Sequence, residues 1–273
     1  MEYAVKDVIR KRRSVRTFSG ESLRSEDKQK LEEYRKSLEN PFGIPVEFRF
    51  LDAKKHGLSS PVIVGTDLYI AGKIRRVPQA EAAFGYSLEK FCLYAKSIGI
   101  GTVILAGTLN RGAFEKAMEV KDTEAMMAVS PIGYPAKKMS VRETMMRKGV
   151  KANERLPFET LFFDGSFEQS LTTERAGQFR DALEMVRLAP SAVNKQPWRI
   201  VVCGNTVHFY EKKAKAMSNS ALGDIQKVDM GIAMVHFDLT LKEAGVNGCF
   251  VTKNPGFPIE DSMEYIVTYE VKR

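Results

Sequence analysis

The feature that most constrains this chain is an internal repeat, because a repeated segment implies a repeated structural unit whatever its individual motifs do. FGYSLEKFCLYAKSIGIGTVIL, beginning at Phe84, aligns without gaps to MGIAMVHFDLTLKEAGVNGCFV, beginning at Met230, an offset of 146 residues. Gly85/Gly231, Phe91/Phe237, Leu93/Leu239, Lys96/Lys242 and Gly99/Gly245 coincide. Each copy reads as an apolar helix stopped by a glycine C-cap and followed by a short buried strand. A second pair precedes the first. LEEYRKSL from Leu31 and LEMVRLAP from Leu183 share Leu31/Leu183, Glu32/Glu184 and Arg35/Arg187 at an offset of 152, and Pro45 then matches Pro197.

The earlier helices carry their own signals. Ser25 is placed to N-cap the first, with Glu26 and Asp27 against the helix dipole and Leu31, Tyr34 and Leu38 on one apolar face. Ala176, Phe179, Leu183 and Val186 give the second the same kind of spacing. Each half therefore reads helix, strand, central helix, strand, which predicts an α+β fold. The expected halves are residues 1–150 and 151–273, joined through the polar stretch from Ala136 to Pro157. Neither half, with two or three strands and an apolar central helix, covers its own inner face. Its natural cover is the twin, packed about a pseudo-two-fold axis, so that the chain is a tandem repeat forming an intramolecular pseudo-dimer with sheets flanked by helices.

Composition narrows the class. The three cysteines, Cys92, Cys203 and Cys249, form no CxxC pair, so neither a disulfide framework nor a thiolate zinc site is indicated. His56, His208 and His236 are not at metal-ligand spacing. The opening residues lack the apolar core of a signal peptide and no stretch is apolar enough for a membrane helix, which leads us to expect a cytoplasmic protein without membrane partners. A net charge of +8 and a pI near 9.3 point to an anionic partner: nucleic acid, a membrane surface or a phosphorylated small molecule. The tightest basic cluster, Arg10, Lys11, Arg12, Arg13 and Arg16, is short and ends at Phe18, unlike the longer, less apolar arms that bind nucleic acid. There is no Walker loop, Rossmann glycine triplet or GxSxG elbow.

Three motifs carry a resemblance: RRSVRTF at Arg12 to Phe18, LAPSAVNKQPWRIVV at Leu188 to Val202, and the central helix and strand ending in LAGTLN, Leu105 to Asn110, with AVSPIGYP at Ala128 to Pro135. Together they resemble the flavin-dependent nitroreductase family, and in particular its small subgroup built as fused half-repeats. Family members are homodimers with FMN in the dimer interface, each FMN held by the basic motif of one subunit and the PSxxN segment of the other. In ordinary members both motifs sit in one copy. Here they are split: the first copy keeps RRSVR but has ENPFGIPVEF where PSxxN belongs, and the second keeps PSAVNKQPW without a basic motif. One composite site needs only that much, so the resemblance implies one FMN and a monomeric chain.

The resemblance also assigns residues. Arg12 and Ser14 suit the phosphate, and Arg13 and Arg16 the ribityl oxygens and pyrimidine edge, although a basic cluster at a helix end is also an ordinary dipole complement. Pro190, Ser191 and Asn194 reach the flavin from the other half, or else form a helix-stop turn. Ala106 and Gly107 match the loop whose backbone amide meets flavin N5, or are an ordinary strand-to-helix turn. Arg155 matches a late phosphate-binding arginine, with Arg142 as its competitor. The implied chemistry is a ping-pong transfer of hydride from NAD(P)H through flavin N5 to a small-molecule electron acceptor such as a nitroaromatic or quinone, with no catalytic acid or base among the side chains. The acceptor cannot be read, because the segment from about Asp52 to Ala83 that shapes its pocket is short and divergent. Two alternatives stand beside this reading: a non-catalytic basic module for nucleic acid or another polyanion, and a flavin-binding relic without turnover.

Overall fold

The computed structural model describes residues 3–214 and 223–272. Two sheets face each other across a pair of central helices. Helices α1 (Val5–Lys11) and α2 (Ser25–Lys36) lead into β1 (Val46–Asp52), the short α3 (Ala53–His56), β2 (Leu68–Arg75) and the central α4 (Ala80–Ser97). After it come β3 (Gly101–Thr102), α5 (Arg111–Ala117), β4 (Glu124–Ala125) and β5 (Val129–Gly133). Helix α6 (Val141–Gly149) lies in the connecting stretch. The chain continues through α7 (Phe158–Leu161), β6 (Phe162–Asp164), α8 (Arg180–Arg187), β7 (Trp198–Cys203), β8 (Thr206–Lys212), the central α9 (Ile225–Glu243), β9 (Gly248–Val251) and β10 (Met263–Val271).

The sheets repeat one topology. The first runs β1-β2-β5-β3 and the second β7-β8-β10-β9, all antiparallel; β4 is added beside β2 and β6 runs parallel to β7. More strands form than the repeat in sequence predicts. β2 and β8 take equivalent places, antiparallel to β1 and β7, yet their sequences, LYIAGKIR and TVHFYEK, share almost nothing, so their kinship shows only in pairing. The first strand after α4 is also shorter than expected, two residues in β3, because Leu105 pairs with Val129 only as an isolated bridge.

The central helices cross at their glycines. A Cβ on Gly85 would sit 2.0 Å from the Val228 carbonyl oxygen, and one on Gly231 would sit 2.0 Å from that of Ala82. Those two contacts exchange under the 146-residue offset, which carries Gly85 to Gly231 and Ala82 to Val228. A contact in which i meets j′ and i′ meets j is the signature of two-fold packing. Glycine is required because the backbones touch, closer than any side chain permits. Around the crossing Phe84, Leu88, Phe91, Met230, Met234 and Phe237 are fully buried in one continuous core. Ala176, Phe179, Leu183 and Val186 are buried at the expected spacing, although the first turn there is a 3-10 helix, Gly177–Phe179. Ser25 does not cap α2. It is the first helical residue, Arg24 holds the N-cap position without a side-chain bond, and Arg24 pairs instead with Asp27 at 2.9 Å. Among the described residues no helix is long and apolar enough to cross a membrane, and no group of His, Cys, Asp and Glu is arranged to hold a metal.

Candidate functional site

The basic motif is an extended arm. After α1 the backbone turns extended at Arg12, and Val15 N donates to Thr102 O at 2.9 Å while Ser14 bridges Thr102. Burial of Val15 and Phe18 ties the arm down, so its polar side chains take fixed places. Arg12 points inward, its side chain only 8% exposed, with Nε 3.6 Å from Glu89 Oε1. Glu89 is fully buried and also shares a hydrogen bond with His236 Nε2 at 2.9 Å, a pairing that joins the two central helices. Arg13 Nη1 meets Glu143 Oε1 at 2.7 Å, and Arg16 N donates to Glu143 Oε2 at 3.2 Å.

Arg155 is the residue around which the positive charge collects. Its Nη1 donates to the carbonyls of Ala152 (3.0 Å) and Glu154 (2.8 Å) and to Asn194 Oδ1 (3.3 Å), and Nη2 to Leu188 O (3.3 Å). Among the described residues it has no carboxylate partner, and its buried Nε has no hydrogen bond. Burial first, then the charges of Arg12, Arg187 and Arg147, pull its pKa below the usual arginine value. The Arg16 pKa is lowered too, chiefly by burial and, against the opposing pull of Glu143, by Arg147; its Nε is likewise buried without a partner. Arg12 and Arg187 have carboxylate partners, Glu89 at 3.6 Å and Glu184 at 2.6 Å, whereas Arg155, largely buried and near like charges, has none among the described residues, which is costly unless an anion completes it.

The PSAVNKQPW loop closes this cluster from the second half. Asn194 donates through Nδ2 to Lys151 O (2.8 Å) and Glu154 O (3.0 Å) while its Oδ1 accepts from Arg155. Its side chain thus holds the connecting stretch and its arginine. Ser191 Oγ accepts from Gln196 N at 2.9 Å, Gln196 Oε1 accepts from Leu156 N at 2.9 Å, and the Asp229 carboxylate accepts from Ala192 N at 3.0 Å. Burial pushes the Asp229 carboxyl well above the usual carboxylate range. Pro190 opens the loop, three residues after α8 ends at Arg187. Val193, Asn194 and Gln196 have φ of 44°, 58° and 51°. Left-handed backbone outside glycine costs about 1–3 kcal/mol per residue and is rarest for a β-branched side chain, so this loop holds strain that its polar contacts maintain.

The remaining candidates lie apart. Ala106 and Gly107 follow Leu105 at the end of the first sheet, where Ala106 O accepts from Arg111 Nη2 at 2.7 Å. A Cβ on Gly107 would meet nothing within 4 Å, so this backbone is open to a ligand, but among the described residues no hydrogen bond or ion pair links it to Arg155. Arg142 is bonded to Pro61 O and takes no part in the cluster. Sequence reasoning missed Arg147, Arg187 and Glu143. For Glu143 a signal existed, Ser140-x-x-Glu143, the pattern of a capping box; Ser140 Oγ does accept from Glu143 N at 3.2 Å, but the carboxylate turns to the basic arm.

Arm and loop thus both bear on Arg155, the loop through Asn194 Oδ1 and the arm through the charge of Arg12. A model of the family described as "Putative TM nitroreductase" matches residues 4–252. The chain belongs to that family. Fold-level likeness agrees with this nitroreductase-family membership. The crystal structure of a "putative nitroreductase" from Thermotoga maritima superposes with a TM-score of 0.65 at 19% identity, covering 99% of this chain and 94% of that one. Other solved structures cover about half of this chain. A "putative nitroreductase in complex with fmn" from Desulfovibrio desulfuricans gives a TM-score of 0.40 at 18% identity over 53% of this chain and 96% of its own. A nitroreductase family protein from Clostridium novyi gives 0.43 at 16% identity over 50% and 87%. No curated protein matches.

Proposed function

We propose that the chain is an FMN-dependent oxidoreductase that passes hydride from NAD(P)H to an electron-poor acceptor such as a nitroaromatic or quinone. It would act as a monomeric pseudo-dimer of residues 1–150 and 151–273 with one flavin between them. The observation that carries this reading is the cluster of Arg12, Arg147, Arg155 and Arg187, assembled from both halves, with Arg155 lacking a carboxylate. A dianionic phosphate fits that donor set, since arginine forks bind phosphate oxygens through charge-assisted hydrogen bonds. Arg12, Ser14 and Arg155 would hold the phosphate. Arg16 would reach the ribityl chain, and Arg13, already paired with Glu143, would fix the arm. Ser191 and Asn194 set the loop that brings Arg155 into place, and the open backbone at Ala106 and Gly107 suits close approach of a flat ring.

When bound, FMN supplies the hydride relay between nicotinamide and acceptor. The chain's own work is to bind, orient and exclude water. The burial of Arg12 and Arg155 favours a small anion over nucleic acid, whose phosphates are contacted by side chains on an accessible surface.

The test begins with the visible spectrum of the purified chain, expected to show one FMN per chain, bleached by NADH or NADPH under nitrogen and restored by a nitroaromatic or quinone. Arg155→Ala is expected to weaken FMN by about 1.5–3 kcal/mol, the worth of a hydrogen bond to a charged group, while Arg142→Ala leaves it unchanged. A chain that neither carries nor takes up FMN overturns the reading, and two FMN per chain overturns the single composite site.

A further inference from the structure

Two-fold packing relates positions in one half to positions in the other, and the counterpart of the place proposed above for the flavin ring is an open pocket. Under the 152-residue offset Pro41, Phe42 and Ile44 correspond to Val193, Asn194 and Gln196 of the PSAVNKQPW loop. Under the 146-residue offset Phe250, Val251 and Thr252 correspond to Ile104, Leu105 and Ala106. Both groups line one pocket of about 420 Å³, open to solvent, together with Val77, Pro78, Gln79 and Val267. This is within the range of small-molecule pockets, roughly 300–1,000 Å³.

Its chemistry differs from that of the first site in one respect. None of the residues lining it is charged. Phe42, Ile44, Val77 and Phe250 offer apolar surface, and Thr252 and Gln79 offer hydrogen bonds. Gln79 is held at φ 69° while its amide donates to Ile266 O at 3.0 Å. The Phe250 and Val251 wall belongs to β9, the outer strand of its sheet, which leaves one row of backbone donors and acceptors outside the ladder. A phosphate finds no cationic partner here to offset its desolvation, whereas a neutral flat ring with polar edges finds both apolar surface and hydrogen bonds.

We infer that this cavity is a second binding site, selective for a neutral flat heteroaromatic of about the size of the flavin ring and closed to its phosphorylated form. The comparison with a flavin site rests on the function proposed above; the cavity and its uncharged lining do not.

The probe is lumichrome, the flavin ring system without ribityl chain or phosphate, titrated into the full chain saturated with FMN and followed by fluorescence. One lumichrome is expected to bind per chain without displacing FMN. Val77→Trp, which fills the cavity from one wall, is expected to weaken lumichrome about tenfold or more with FMN content unchanged, and Thr252→Trp to do the same from the opposite wall should the first variant fold poorly. Lumichrome that binds only after FMN is stripped, or that competes with FMN, places the ring in the first site and overturns the inference. So does an absence of saturable binding, or binding that both tryptophan variants leave intact. A chain that holds no FMN would sink the proposed function instead, and the lumichrome titration with the two variants would still report on this cavity.

Discussion

The segment at residues 39–45 and its counterpart at 191–197 occupy the same place in the two halves and solve different problems. In the first, Asn40 closes the turn on itself, donating to Ile44 O at 2.7 Å and accepting from Phe42 N at 3.2 Å, and the only left-handed residue is Gly43. In the second, Asn194 reaches out to Lys151, Glu154 and Arg155, and Val193, Asn194 and Gln196 are themselves left-handed. One loop has no left-handed residue but its glycine, and its asparagine reaches beyond the turn to the neutral Ser87 Oγ at 3.3 Å; the other is strained and tied to charges elsewhere. Strain that persists at one of two equivalent positions marks where the constraint is more than folding.

The equivalence of the halves can be broken most directly where they cross. Gly231→Leu puts side-chain atoms where the Ala82 carbonyl already is, and we expect a loss of more than about 4 kcal/mol by chemical denaturation. Gly85→Leu should cost about as much. A large cost at one glycine and tolerance at the other would deny the two-fold contact. The two central helices were the most legible part of the molecule in sequence, because glycine and apolar residues recur at the same places in both copies; that the helices touch at Gly85 and Gly231 emerged only in the fold. Equivalent strands such as β2 and β8 were not legible: a strand is specified by burial on its faces, which many unrelated sequences satisfy.

A second comparison lies inside the sheets. Val46 pairs with Ile74 in the first and the corresponding Trp198 with Glu211 in the second, so a carboxylate occupies a buried aliphatic position. Both Glu211 oxygens are buried without a hydrogen bond, and burial, then the charge of Asp224, pushes its pKa up to about 8. The folded protein thus keeps the proton through a range in which the unfolded chain loses it. Stability is full at acidic pH and falls as pH rises toward about 8. We expect wild type to lose up to about 1.4 kcal/mol per pH unit between about pH 5 and 8 relative to Glu211→Gln, measured by denaturation at a series of pH values. Parallel pH profiles for the two proteins would show that Glu211 is ionised in the fold.

The smallest expected effect sharpens the contrast between the loops. Asparagine tolerates left-handed backbone better than valine, so Val193→Asn, at a side chain 57% exposed, should raise stability by about 0.5–1 kcal/mol. The same change at Val46, in ordinary strand geometry, should not. No gain at Val193 would mean that the loop carries no strain to relieve.

Much of the candidate site was legible only in pieces. RRSVR and PSAVN stand out because runs of arginine, and of proline with short polar residues, are locally unusual. Arg147 and Arg187 are not, since each is an unremarkable basic residue near the end of a helix, and only the fold brings them to Arg155. Asn194 was recognisable as a ligand-type side chain, but its amide is bonded to the connecting stretch, a relation that spacing does not reveal.

The crossing at Gly85 and Gly231 also has a history within each act of synthesis. Its two sides lie 146 residues apart, and a ribosome adding roughly 5–20 residues per second leaves an interval of about 7–30 s between them. For that time the first central helix has no partner for the face that ends most deeply buried, although helices and hairpins form within microseconds. The newborn first half therefore waits, apolar side outward, for a twin still being translated, and protection by chaperones during that interval should decide the yield of the finished protein.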